Sequence, residues 1–425
     1  MTMQDTTFIK SVLPNGIRVL TEKVPGVRSL SVGIWVGHGS RDEHPNVNGV
    51  SHFIEHMIFK GTKKRSALDI AKAFDRMGGI SNAFTSKEMI CFHAKVMDTH
   101  EEDILELLSD IFLNSQFSQE EVDRERLVVL QEISMVEDSP EELVHDLFYQ
   151  HFWPEHGLGR PVLGTPDTVT SFNGRDLSQY VRENFSPQKV LVACAGNVEH
   201  HSFLKKVEDF FGSMDGGGDN RERTRPIAQE GIRIVRKDLE QANCLIGFEG
   251  PSYRDERRYE ALLFNVILGG SMSSRLFQEI REKRGLAYAV YSFHTGYSDT
   301  GLIGMYAGVQ PDKVYEVTEL MMNELKRLAE HPVDEKELTQ AKDHVKGGIL
   351  LSSESTDARM SRIAKLELLL GRYSTFEEVI QRIDEVTPEL IMKLAQDCLS
   401  APKSALILGN VSSKQETQLE GLLVS

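Results

Sequence analysis

Cysteine is scarce in this chain: four residues in 425 (Cys91, Cys194, Cys244 and Cys398), with no Cys-x-x-Cys pair. That excludes a disulfide framework, and it suits a reduced, cytosolic protein. Three of the four lie in apolar, strand-like runs and read as small core residues. Long hydrophobic runs are also missing. Ala261 to Leu268 is about as long as they get, well short of the ~18–20 residues that a membrane span needs. An excess of positive charge is absent too, because 48 basic against 64 acidic residues leave −16. Such a balance argues against nucleic acid or an anionic membrane as partner, and fits basic or neutral ones better. The start, MTMQDTTFIKSVLPNG, has neither a basic stretch followed by an apolar core nor an Arg-rich amphipathic stretch. It reads as neither a secretory signal nor a transit peptide, so the expected location is cytoplasmic.

What is present is an ordinary globular composition, 40% hydrophobic and 26% charged, at a length of two or three domains. Internal repetition reduces the count to two. Gly16-Ile17-Arg18-Val19 returns as Gly231-Ile232-Arg233-Ile234, an offset of 231 − 16 = 215. Gly37-His38-Gly39-Ser40-Arg41-Asp42-Glu43 returns as Gly250-Pro251-Ser252-Tyr253-Arg254-Asp255-Glu256, offset 250 − 37 = 213. Phe117–Glu121 matches Val333–Glu337 at 333 − 117 = 216, and Gly196-Asn197-Val198 matches Gly409-Asn410-Val411 at 409 − 196 = 213. Between the copies, Gly216-Gly217-Gly218 flanked by charge reads as an exposed linker. The expected boundaries are 1–212, a linker at 213–225, and 226–425. Each copy opens with a strand pair (Gly16–Leu20 with Leu30–Val36; Gly231–Val235 with Cys244–Phe248). Helices follow at Glu101–Asn114, Gln119–Met135 and Val314–His331, and buried strands close the copies at Val190–Ala195 and Ala405–Leu408. The pattern predicts an α+β class: two homologous domains, each a mostly antiparallel sheet flanked by helices.

The sharpest chemical signal is Gly49-Val50-Ser51-His52-Phe53-Ile54-Glu55-His56-Met57-Ile58-Phe59. On a helix advancing about 100° per residue, Val50, Phe53, Ile54, Met57 and Ile58 share one face, and His52, Glu55 and His56 share the opposite one. Two imidazoles one turn apart can converge on one zinc ion. Glu55 lies too close along the helix to be a comfortable ligand beside both, and is better placed to hold the metal's water and take its proton. The order His-x-x-Glu-His inverts the common zincin motif. A third ligand is still wanted. Along Gln119–Met135, Glu125 and Glu132 border the apolar face one above the other. From spacing alone they point either to a metal with its surrounding groups or to solvent and Arg124 and Arg126.

This motif, with Glu132 a further 132 − 56 = 76 residues on, resembles the pitrilysin–insulinase family of zinc peptidases, in the branch of the mitochondrial processing peptidases and their bacterial relatives. Gly79–Thr85, Leu268–Phe277 and Ile280–Tyr288 fit that branch as well. The resemblance implies one zinc per chain on His52, His56 and Glu132, with Glu55 as general base and Glu125 supporting the ligands. It implies that Asn82 and Ala83 lie on an edge strand that pairs with an extended substrate. Arg281 and Tyr288, in the second copy, would hold the scissile carbonyl region. The function implied is endopeptidase cleavage of extended or presequence-like peptides, with a lean toward basic ones, in a chamber built by a homodimer with a composite site. The alternatives are a non-catalytic partner subunit or a peptide-binding chamber. An offset of 216 carries His52, Glu55, His56 and Glu132 onto Leu268, Ser271, Met272 and Gly348, so the second copy holds no ligands.

Overall fold

In the computed structural model, residues 7–215 and 222–423 are described. The Gly216–Gly218 run expected to form a linker lies outside them. Residues 1–6, which belong to the start read as carrying no targeting signal, lie outside them too. The alternating pattern of the opening residues produces β1 (Thr7–Val12), β2 (Arg18–Lys23) and β3 (Ser29–Val36). With β4 (Ile80–Thr85), β5 (Ile90–Met97) and β6 (Val190–Gly196) these form a six-stranded sheet in the order β1-β2-β6-β3-β5-β4. Strands β7 (Gly231–Val235), β8 (Ala242–Gly250), β9 (Ala287–Gly296), β10 (Gly301–Val309) and β11 (Ser404–Leu408) form a second, in the order β7-β11-β8-β10-β9. Among the described residues, only β2 with β6 and β7 with β11 run parallel. The second sheet repeats the first without a counterpart of β1, and the α+β class with two homologous sheets is the observed one. No helix among the described residues is long and apolar enough to cross a membrane.

Period-two alternation gives each sheet two buried faces. On β3, Leu30, Val32, Ile34 and Val36 enter one core together with Phe53, Ile54, Met57 and Ile58 of α1 (Val50–Ile58). This core also takes in α2 (Ala67–Met77), α3 (Glu101–Asn114) and α4 (Gln119–Asp138). The other face of β3, carrying Ser31, Gly33 and Trp35, is covered by helix Thr356–Leu370. There the indole N–H of Trp35 donates to Met360 Sδ at 3.2 Å, Ser31 and Thr356 hydroxyls meet at 2.8 Å, and Arg359 pairs with the buried Glu22 at 2.6 Å. In the second sheet the corresponding cover is α5 (Pro140–Phe152), which packs Val144, Phe148 and Phe152 on Leu245, Leu406 and Leu408. A Cβ on Gly247 would lie 2.4 Å from Phe148 Cζ, so the close approach of α5 requires glycine there.

These two cover helices are repeat equivalents (356 − 140 = 216), and they are exchanged. The chain accordingly forms two compact units that cross the boundaries suggested by the repeat. One comprises residues up to Ser134, Arg160–Arg223 and Leu351–Tyr373; the other comprises Met135–Gly159, Thr224–Leu350 and the segment from Ser374 on.

Candidate metal centre

Six of the nine residues of α1 are buried: Val50, Ser51, Phe53, Ile54, Met57 and Ile58. His52, Glu55 and His56 are left half-buried on the other side. The apolar stripe fixes the rotation of the helix, and that rotation aims His52 and His56 at α4 and Glu55 at the end of β4. On α4, Val122, Val129 and Ile133 anchor the helix in the core, so Glu125 and Glu132 emerge two turns apart on the margin facing α1. Arg124 and Arg126 do not claim them. Arg124 pairs with Glu120 and Glu121, and Arg126 pairs with Asp123 and Phe172 O.

His52, His56 and Glu132 each offer one ligand atom, all within 4.8 Å of one another. Glu132 Oε2 stands 3.7 Å from His52 Nε2 and 3.5 Å from His56 Nε2. These separations exceed hydrogen bonds, and they match a shared ion. Two donors each about 2.0–2.1 Å from zinc at tetrahedral angles stand about 3.4 Å apart. The two rings lie 4.6 Å apart between centroids. Behind them, His56 Nδ1 meets Glu125 Oε1 at 2.9 Å, and Lys60 Nζ lies 2.5 Å from Glu125 Oε2. Glu125 thus stands behind His56, on the ring nitrogen that faces away from Glu132, where it can orient that imidazole. Sequence spacing could have found Lys60, since it follows His56 by one turn on the same face.

Burial, with His56 as like-charged neighbour, holds His52 down to about 4, so this ring is neutral at physiological pH. Burial also acts downward on His56, but the hydrogen bond to Glu125 and the charges of Glu132, Glu125 and Glu55 outweigh it, and its pKa is raised. A ligand must be neutral to bind metal. Zinc uptake by the metal-free protein at pH 6 should therefore release about one proton per site, from His56, and the number should fall as pH rises past its raised pKa. Calorimetry in buffers of differing ionisation enthalpy measures this. Zero release at pH 6 would contradict the assignment.

Glu55 accepts a 2.6 Å hydrogen bond from Thr85 Oγ1 at the end of β4. Its carboxyl is raised chiefly by burial and also by Glu132, with Thr85 and His56 pulling the other way. Thr85 carries no signal in the sequence beyond its place in Gly79–Thr85. Strand β4 is the terminal strand of its sheet. On it, the N–H of Ala83 is held by its own neighbour, Asn82 Oδ1, at 2.9 Å. The open edge therefore presents a donor that is satisfied only locally.

In the other unit, Phe277–Glu282 forms a π-helical turn. It sets the Arg281 guanidinium 4.7 Å from the Phe277 ring and 4.8 Å from the Tyr288 ring. Tyr288 is 78% exposed. The two predicted residues are thus in contact, with Phe277 as a third member that sequence reading passed over.

Residues 18–166 match the family model described as insulinase (peptidase family M16), and 171–345 match the model described as the peptidase M16 inactive domain. A Bacillus subtilis protein named uncharacterized zinc protease YmxG is 42% identical over 402 residues, covering 94% of this chain and 98% of that one. A Streptomyces coelicolor protein, also named an uncharacterized zinc protease, is 41% identical over 423 residues, covering 97% and 92%. Among solved structures, a protease from Helicobacter pylori aligns with a TM-score of 0.89 at 21% identity, over 95% of this chain and all of that one. At that identity the likeness is one of fold.

Proposed function

Because this chain belongs to the insulinase family, peptidase family M16, we propose that it is a zinc-dependent endopeptidase acting on extended peptides. The convergence of His52, His56 and Glu132 beside the Glu55–Thr85 pair carries the reading. The relatives' description as zinc proteases supports the metal. When bound, one zinc per chain supplies a Lewis acid for the scissile carbonyl and for water. Glu55 takes the proton of the attacking water and delivers it to the leaving amine. Its raised pKa places proton uptake nearer to neutrality than for an exposed carboxylate. The Thr85 hydroxyl fixes which oxygen of Glu55 remains free. The open edge of β4 pairs with the substrate backbone, Ala83 N–H exchanging its bond to Asn82 for one to the peptide. Arg281, held between two rings, has a rigid guanidinium to direct at a developing oxyanion.

The match of the inactive-domain model to residues that include much of the ligand-free second copy suits a division of labour. The Arg281–Tyr288 pair would act on the site of a partner subunit in a homodimer, where the acidic excess favours basic peptides. A peptide-library digest read by mass spectrometry should show internal cleavage that a chelator abolishes. Cleavage unchanged by chelation excludes the mechanism. Mixing Glu55→Gln and Arg281→Ala chains, each nearly inactive alone, should restore one working site per mixed dimer. No recovery would rule out a composite site.

A further inference from the structure

The motif Arg41-Asp42-Glu43 recurs in the second copy as Arg254-Asp255-Glu256, but the two glutamates have opposite surroundings. Glu43 is 3% exposed. Its Oε2 accepts from the N–H of Gly49 at 2.7 Å and from Asn48 Nδ2 at 3.0 Å, and its Oε1 accepts from the N–H of Ser51 at 2.8 Å. Its own carbonyl is held by Arg160 Nη2 at 2.6 Å. The Glu256 side chain is 57% exposed, lying 3.5 Å from Arg258 and 3.9 Å from Arg382. The helix beside it, Arg258–Leu268, contributes nothing to the group of possible metal ligands found among the described residues.

Helix α1 needs this outside help. Its first N–H groups have no partner within the helix, and the N-cap position is Gly49, which has no side chain to supply an acceptor. Gly49 is obligatory there. Its φ is +91°, and a Cβ would meet Gly164 Cα and Leu163 O at 2.6 Å. Glu43 therefore acts as a cap brought from six residues upstream, and its negative charge lies at the positive end of the helix. Burial pushes its carboxyl up to about 7 although the N–H groups of Ser51 and Gly49 and the side chains of Asn48 and Ser51 pull it down, so the cap is ionised at pH 8.

We infer that Glu43 is a positioning residue for the metal centre: by clamping the Gly49 and Ser51 N–H groups it fixes the start of α1, and with it the place of His52, the next residue. Metal ligands must be held to a few tenths of an ångström, and one frayed turn would move His52 relative to His56 and Glu132. The inference rests on the metal-centre reading. Its test is the visible spectrum and affinity of Co(II) at pH 8 in the full chain, comparing wild type with Glu43→Gln and Glu43→Asp. Glutamine has the same size, but its single acceptor oxygen leaves one helix N–H facing an amide NH2. Glu43→Gln should bind Co(II) about tenfold more weakly, with an altered d–d band and a fall in kcat larger than any rise in KM. The shorter aspartate retains both oxygens and should recover part of each. A merely structural glutamate would lower the Tm of the metal-free protein and leave spectrum and affinity unchanged, which overturns the inference. Failure of wild type to bind Co(II) at all would overturn the metal-centre reading instead.

Discussion

Glu55→Gln should abolish peptide hydrolysis while leaving the bound zinc and the fold intact. Glu55 is not among the atoms that converge on the metal position, so its replacement removes no ligand. Glutamine preserves the shape, and its carbonyl can still accept the Thr85 hydroxyl that lies 2.6 Å from the carboxylate. What disappears is the basic oxygen. A positioned general base contributes about 10²–10⁴-fold, or about 3–5 kcal/mol of barrier. In the proposed mechanism the same group also protonates the leaving amine, so kcat should fall at least about a thousandfold. Zinc content by mass spectrometry and Tm serve as controls. A variant that retains its zinc and cuts at near wild-type rate would remove Glu55 from the mechanism.

Residues 1–212 produced alone should fail to fold, although they contain His52, His56, Glu132 and the whole six-stranded sheet. The missing part is helix Thr356–Leu370. Without it, Ser31, Gly33 and Trp35 of β3 face water, and Met360, Ile363, Leu366 and Leu369, all buried in the intact chain, have no counterpart. At about 2 kcal/mol for each large side chain, that is about 8 kcal/mol, as large as the whole stability of a typical domain, about 5–15 kcal/mol. Residues 213–425 alone should fare no better, since α5 covers their sheet. Co-expression of both halves should recover soluble protein. The check is circular dichroism and gel filtration of each half and of the pair. A well-folded 1–212 fragment with a sharp melting transition would sink the prediction.

How much of this was legible beforehand varies with the kind of information each residue carries. His52, Glu55 and His56 could be placed because helical periodicity turns spacing into a face, and the apolar residues between them fix which face. Glu125 and Glu132 could be put on one helix margin, but nothing in spacing separates a ligand from its support. That choice came from family resemblance, and the structure places Glu132 between the two imidazoles with Glu125 behind His56. The repeat showed where each copy begins and not which helix packs on which sheet. Exchange of two equivalent helices leaves the sequence pattern unchanged, so no periodicity could reveal it. Glu43 was visible as a repeated motif, yet its burial depends on how the loop before α1 folds back. The contact of Arg281 with Phe277, four residues before it, and Tyr288, seven residues after it, depends on the π-turn that brings both rings to the guanidinium, beside Glu282 at 4.0 Å, and spacing does not show that turn.

The four cysteines acquire a use from where they lie. All are free and buried, two in each compact unit: Cys91 and Cys194 in the first, Cys244 and Cys398 in the second. A thiol reagent can reach none of them until the surrounding packing opens. The chain therefore carries its own paired clocks. Labelling rates, assigned by peptide mapping, time the breathing of the unit that holds His52, His56 and Glu132 separately from that of the other, with no engineered probe.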